Sequence, residues 1–151
     1  MPKGIHRKDV NIPIDNVWNF VSDMNNWAPL VPGYIDHKIL NEKQSTWKFK
    51  GDTGIVQKTI KMRIDITKWQ EPTKVTFDLK GLSDNFKGDG YFEAEALSGT
   101  STKITGCLNI SGKGMMGPMM NTVLKSLVPK TAKELTEAVA EKIKEERAVM
   151  R

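Results

Sequence analysis

Residues 112–143 read GKGMMGPMMNTVLKSLVPKTAKELTEAVAEKI, and the fold turns on how this stretch is understood. Gly112, Gly114 and Gly117 punctuate the chain. Pro118 then falls where a helix accepts proline, in the first turn, because the N–H it lacks would have no partner there. Met119, Met120, Val123, Leu124, Leu127, Leu135, Ala138, Val139 and Ile143 keep a 3.6-residue period, while Lys130/Glu134 and Lys133/Glu137 stand at i, i+4 on the other side. The pattern predicts a long amphipathic C-terminal helix whose apolar stripe needs a surface to cover. Pro129 removes one helical hydrogen bond and crowds the preceding turn. A kink or break is expected there, dividing an inner stretch, Met119–Val128, facing a cavity from an outer stretch closing the narrow end.

Upstream of this stretch the period changes to two. Trp47 and Phe49 share one face of a strand, Val56, Ile60, Met62, Ile64 and Ile66 one face of a longer strand, and Val75, Phe77 and Leu79 one face of the next. Glu71-Pro72 marks a turn, and residues 81–90 read as a polar, glycine-bearing connection. Strands follow over 91–97 and 102–111, and the short links between strands favour an antiparallel meander. At the N-terminus, residues 5–12 predict a strand and residues 13–22 a short helix, with Val17, Phe20 and Val21 on one face. A second short helix over 23–30 opens on a capping Asp23, presents Met24, Trp27 and Leu30, and stops at Pro32-Gly33. One strand, two short helices, a run of strands and a long helix give an α+β fold with the helices on one side of a curved antiparallel sheet.

Composition bounds the function. The chain has 151 residues, 38% of them hydrophobic and 27% charged, which suits one globular domain over 1–151. One cysteine, Cys107, and two histidines, His6 and His37, exclude an internal disulfide and leave too few ligands for a structural zinc site, so no metal or cofactor is expected. A reducing, cytoplasmic setting fits this usage, and no signal peptide or spanning helix is read. The net charge of +5 is concentrated on the strands, where residues 38–74 hold nine Lys/Arg against four Asp/Glu. Basic residues alternating with apolar ones are the wet face of a half-buried sheet, and no nucleic-acid recognition pattern accompanies them.

Candidate site residues follow from shape. A helix lying across a curved sheet meets it closely at one end and splays at the other, and the wide end must be filled or left open. Trp27, Tyr34, Trp47, Phe77, Phe86 and Phe92 are the large groups expected to line that space, with Met62 from the long strand. Met115, Met116, Met119, Met120, Val123 and Leu127 are expected from the helix and its start, since methionine adapts to irregular ligands. Lys58 shares the face of Ile60 and Met62, and an inward lysine calls for an anionic partner; Lys58 or Tyr34 could orient a polar end of a ligand. The run 112–117 lacks the Gly-Lys-Ser/Thr ending of a phosphate loop. No nucleophile elbow, His-Glu-x-x-His or paired acid–base set stands out, so no catalytic residue is assigned. His37 reads as an exposed strand residue, His6 as surface, and Cys107 as unreactive and opposite the apolar set.

The ordered set of Pro13 with Val17-Trp18, Val31-Pro32-Gly33, Gly54-Ile55-Val56, Glu71-Pro72, Gly88-Asp89-Gly90, Thr100-Ser101-Thr102 and Gly112–Gly117 resembles the START-like or SRPBCC superfamily. Within it, the chain resembles the CoxG-like family, proteins associated with carbon monoxide dehydrogenase. The resemblance covers nearly the whole chain and implies a helix-grip fold with an internal cavity for a small hydrophobic ligand such as a lipid, a quinone or a polyketide-like molecule. It also implies three roles to weigh: a carrier acting as accessory to a redox enzyme, a polyketide cyclase/dehydratase-type enzyme, and a docking module for carbon monoxide dehydrogenase at the membrane.

Overall fold

The computed structural model describes the backbone of residues 2–52 and 57–149, and the side chains of residues 2–50 and 59–146. Its order is β1 (Lys3–Val10), α1 (Ile14–Val21), α2 (Met24–Trp27) running into a 3-10 turn (Ala28–Leu30), then β2 (Tyr34–Ile39), β3 (Gln44–Asp52), β4 (Gln57–Gln70), β5 (Lys74–Gly81), β6 (Phe86–Ala96), β7 (Thr102–Gly112) and α3 (Gly117–Val149). The strands form one antiparallel sheet in the order β1-β7-β6-β5-β4-β3-β2. From β2 to β7 consecutive strands are neighbours, as the short links require, while β1 pairs with β7 at the edge opposite β2. The alternating apolar residues of β3, β4 and β5 face inward as their period predicts, with Trp47, Met62, Ile64, Ile66, Val75, Phe77 and Leu79 all buried.

Three readings need correction. Residues 86–90 are the start of β6 and not a connection: Phe86 pairs with Gly112 and Gly90 with Phe77. Gly88 and Gly90 take inward positions where a strand normally shows an apolar side chain, which hides the period-two signal. A Cβ at Gly90 would come 2.7 Å from Phe77 Cζ, so the Phe77 ring fills the place the glycine leaves empty. Of the kink or break expected at Pro129, the break does not occur, since α3 runs through Pro129 as one element. Nor does Lys133 pair with Glu137. The Glu137 carboxylate instead accepts from His6 Nε2 at 2.9 Å and lies 3.4 Å from Lys8 Nζ, clasping α3 to β1.

The placing of α3 is set by small residues. Val128, Ala132, Thr136, Val139 and Ile143 form one buried helical stripe. It lies on β1 and β7, where a Cβ on Gly4 would be 2.6 Å from Pro129 Cα and one on Gly106 would be 2.1 Å from Thr136 Oγ1. The two glycines on the sheet therefore face Thr136 and the Val128–Pro129 backbone of the helix, and at Gly4 the backbones approach closely. Thr136 can be buried there because its hydroxyl donates back to the Ala132 carbonyl at 2.7 Å. The hydrogen bond from His6, and after it the charge of Lys8, holds the Glu137 carboxyl below its ordinary value despite partial desolvation. A lowered value in the folded state means the clasp stabilises above the unfolded carboxylate pKa and is lost as pH falls through the lowered one.

If this contact sets the helix position, Gly106→Ala destabilises the protein by about 1–3 kcal/mol through overpacking. The cost falls when Thr136→Ala is already present. Urea unfolding of the four members of this double-mutant cycle checks it; an equal cost of Gly106→Ala in both backgrounds would contradict the contact.

Candidate functional site

On the side away from β1, α3 and the sheet part to leave a cavity of about 460 Å³. The helix lines it with a second stripe, Leu124, Leu127, Thr131 and Leu135, one face round from the stripe that docks on Gly106. The sheet contributes Trp47 and Phe49 from β3, Ile60, Met62 and Ile64 from β4, Phe77 and Leu79 from β5, Phe86 from β6, and Leu108 and Ile110 from β7. Trp27 at the end of α2 and residues 31–33 after the 3-10 turn close the near end.

The two short helices hold this end in place. Asp23 caps α2 by accepting from the Asn25 backbone N–H at 2.9 Å. Trp18 Nε1 donates to Glu71 Oε1 at 2.9 Å, fixing α1 against the β4–β5 turn. Trp27 packs 5.2 Å from Trp47 and 6.0 Å from Phe77 between ring centroids. Its indole N–H donates to the Val21 carbonyl at 3.0 Å, and that of Trp47 to Ser45 Oγ at 2.8 Å. Both indoles thus spend their donors on the protein and offer apolar ring surface to the cavity. Among the described residues no buried side-chain nitrogen or oxygen lacks a partner, so the depth of the cavity presents no free polar anchor.

The mouth can be located from exposure. Of the residues lining the cavity, Gly33, Lys50, Lys130 and Glu134 are the exposed ones, and a side chain that both lines a cavity and meets solvent stands at its rim. The Lys50 backbone N–H donates to the Gly33 carbonyl at 2.7 Å, tying the end of β3 to the turn. Gly33 has φ +80°, and a Cβ there would lie 2.2 Å from the Lys50 carbonyl oxygen, so this corner admits only glycine.

Of the residues singled out from the sequence, Trp27, Trp47, Met62, Phe77, Phe86 and Leu127 come together around the cavity. Phe92 lines a smaller pocket of about 40 Å³ between β6, β7 and α3, for which Trp27, Phe77, Leu108 and Leu135 form the shared wall. Met115, Met116, Met119 and Val123 do not face the cavity; they are exposed, Met115 by 99%. Met115 and Met116 precede the helix on a turn that nothing covers, and Met119 and Val123 fall on the flank of the stripe, because the apolar arc read from the sequence is wider than the helix buries. Met120 is half-buried and packs at the sheet end, against Gly112. The side chain of Lys58 lies outside the described residues. Tyr34 packs on the core without lining the cavity, and its hydroxyl donates to His37 Nδ1 at 2.6 Å. His37 in turn donates from Nε2 to Asn25 Oδ1 at 2.7 Å, linking α2 to β2. His37 is therefore half-buried and partnered, because a register shift between Tyr34 and Asp36 turns residues three apart to the same side. Lys50, Lys130 and Glu134 were missed. The helical pair carried a signal, since Lys130, Thr131 and Glu134 stand at i+3, i+4 and i+7 from Leu127.

A family model matches residues 1–146 of the chain. No curated protein matches it in sequence. Among solved structures, a START superfamily protein from Mycobacterium smegmatis superposes with a TM-score of 0.73 at 19% identity, covering 95% of this chain and 97% of that one. A point mutant of norcoclaurine synthase from Thalictrum flavum, in complex with a transition-state analogue, gives 0.67 at 13% identity over 96% and 95%. The Zhui aromatase/cyclase from Streptomyces sp. R1128 gives 0.56 at 20% identity over 94% and 86%. At such identities what is shared is the fold, a curved sheet gripping a C-terminal helix. The family match runs from the first residue almost to the end of α3, and the fold the chain adopts over that length is the helix-grip fold of the START superfamily protein and the other structures it resembles.

Proposed function

We propose that this protein binds and carries a small, largely apolar molecule in the cavity between α3 and the inner face of the sheet, and that it does so as a non-enzymatic carrier. The observation that carries this reading is the cavity itself, about 460 Å³ walled at depth by aromatic and aliphatic side chains. Lipids, quinones and polyketide-like molecules are the ligand classes this suits. The CoxG-like resemblance supports a quinone or lipid carried as an accessory to a redox enzyme, and the single cysteine supports a reducing, cytoplasmic setting. A cyclase/dehydratase-type activity requires an acid or base against the substrate. Among the described residues the ionisable groups lining the cavity are Lys50, Lys130 and Glu134, all at the rim, which favours a binder over an enzyme. The carrier reading is tested by native mass spectrometry of protein isolated from cells, beside Leu127→Trp, which pushes an indole into the cavity from the helix side. A co-purifying hydrophobic molecule in the wild type, lost or reduced at least tenfold in the variant, is the expected result. No bound molecule, and no thermal shift with a panel of lipids and quinones, overturns it.

A second surface favours peripheral membrane contact. Met115, Met116, Met119 and Val123 are exposed at the start of α3, and the Lys113 N–H bonds the Asn85 carbonyl at 2.9 Å, so the β5–β6 loop with its exposed Leu82 stands beside them. Exposed Lys61, Lys87, Lys113 and Lys125 belong to the flanking segments. An apolar tip with basic neighbours is the chemistry of an anionic lipid surface. Cosedimentation with phosphatidylserine-containing vesicles is expected for the wild type and lost in Met115→Asp/Met119→Asp. No pelleting of the wild type, or equal pelleting of both proteins, contradicts this reading.

A further inference from the structure

The cavity separates its chemistry by depth. Its interior offers aromatic faces and aliphatic side chains, with both indole donors turned to protein acceptors and no unpartnered buried polar side-chain atom among the described residues. Its rim carries Lys50 from β3, and Lys130 and Glu134 from α3, with half-buried Thr131 between the helical pair. A ligand that fills such a space must place any polar group at the mouth, because a polar group at depth would lose its hydration without gaining a partner.

The balance of charge at the rim decides the sign. Glu134 is engaged on its own helix, 4.0 Å from Lys130 Nζ. Among the described residues no carboxylate pairs with Lys50, and the β3 end that bears it lies within the basic stretch, nine Lys/Arg against four Asp/Glu over residues 38–74. Two ammonium groups against one carboxylate leave the mouth positive, and Thr131 adds a hydroxyl donor just inside it. Lysine suits this position: its aliphatic stem covers the apolar rim while its ammonium stays at the water boundary.

We propose that the cavity's ligand is an amphipathic acid, an apolar chain or ring system at depth with an anionic head, carboxylate or phosphate, held at the mouth by Lys50 and Lys130. The proposal rests on the carrier reading above and adds the class of ligand to it. Glu134 limits the affinity by opposing the head and by holding Lys130, so its removal tightens binding where removal of Lys50 weakens it.

The test uses the full chain with hexadecanoic acid, hexadecyl phosphate and hexadecanol as probes, titrated by calorimetry at low and high salt. Both acids bind tighter than the alcohol. Lys50→Ala weakens either acid by about three- to tenfold, and Glu134→Gln strengthens it by a similar factor, while the alcohol's affinity stays unchanged in both. High salt narrows the gap between acid and alcohol. Whichever of carboxylate and phosphate binds tighter in the wild type, and loses more in Lys50→Ala, identifies the head. Both substitutions are at exposed positions, and unchanged thermal unfolding verifies that the variants fold. Equal binding of acid and alcohol, with neither substitution moving their ratio, overturns the anionic head and leaves the carrier reading standing. Failure of all three probes to bind the wild type overturns the amphipathic-acid assignment, and the carrier reading falls with it if the lipid and quinone panel also gives no thermal shift and no molecule co-purifies.

Discussion

The structure depends on how closely α3 can approach one edge of the sheet. At Gly4 and Gly106 the sheet has no side chain, and opposite them the helix presents the Val128–Pro129 backbone and Thr136. Dispersion energy falls off within fractions of an ångström, so this small-on-small contact fixes the helix where the backbones nearly touch. The His6–Glu137–Lys8 clasp adds a polar lock on the same edge. A rod held tightly at β1 and β7 cannot follow a curved sheet round to β3 and β4. The separation there is the cavity, a consequence of where the glycines stand.

Filling that space with protein would remove the cavity on which the proposed carrier role rests. The short helices instead close one end: Trp27 packs edge-on to Trp47 and tilted against Phe77, and the Asn25–His37–Tyr34 chain of hydrogen bonds ties α2 to β2. Gly33, in a conformation other residues avoid, turns the chain against Lys50 and leaves the opening beside it. The lining is apolar at depth and charged at the rim. Affinity would come from buried apolar area and selection from the head group, two contributions that separate substitutions can address.

Much of this was legible in the sequence, and the failures have physical causes. Alternation in β3, β4 and β5 reports a sheet with one wet face, and the helical period after Pro118 reports the helix that covers the other. Residues 86–90 escaped because Gly88 and Gly90 stand where apolar side chains would mark the strand, their space at Gly90 being taken by Phe77 from across the ladder. His37 was misjudged because parity fails across the irregularity after Tyr34. The methionines were over-read: a helix buries only part of its circumference, and Met119 and Val123 lie on its flank. Pro129 interrupts no element, since loss of one N–H is a local cost in a 33-residue helix whose stretch from Val128 to Ile143 is docked by a buried stripe. The charged rim was overlooked because lysine and glutamate read as surface, which they are, although Lys130 and Glu134 follow the spacing of the apolar stripe they border.

The central claim is that α3 is tight against β1 and β7 and parts from the sheet elsewhere to leave an apolar space that opens at a charged rim. Methyl-resolved NMR under xenon pressure addresses it without knowledge of the ligand, since xenon enters apolar cavities of this kind. The account predicts shifts at the methyls of Ile60, Ile64, Leu79, Leu108, Leu124 and Leu127, and none at Ile104 and Ile143, which are buried away from both pockets. Shifts confined to the second group, or absent from the first, would contradict it.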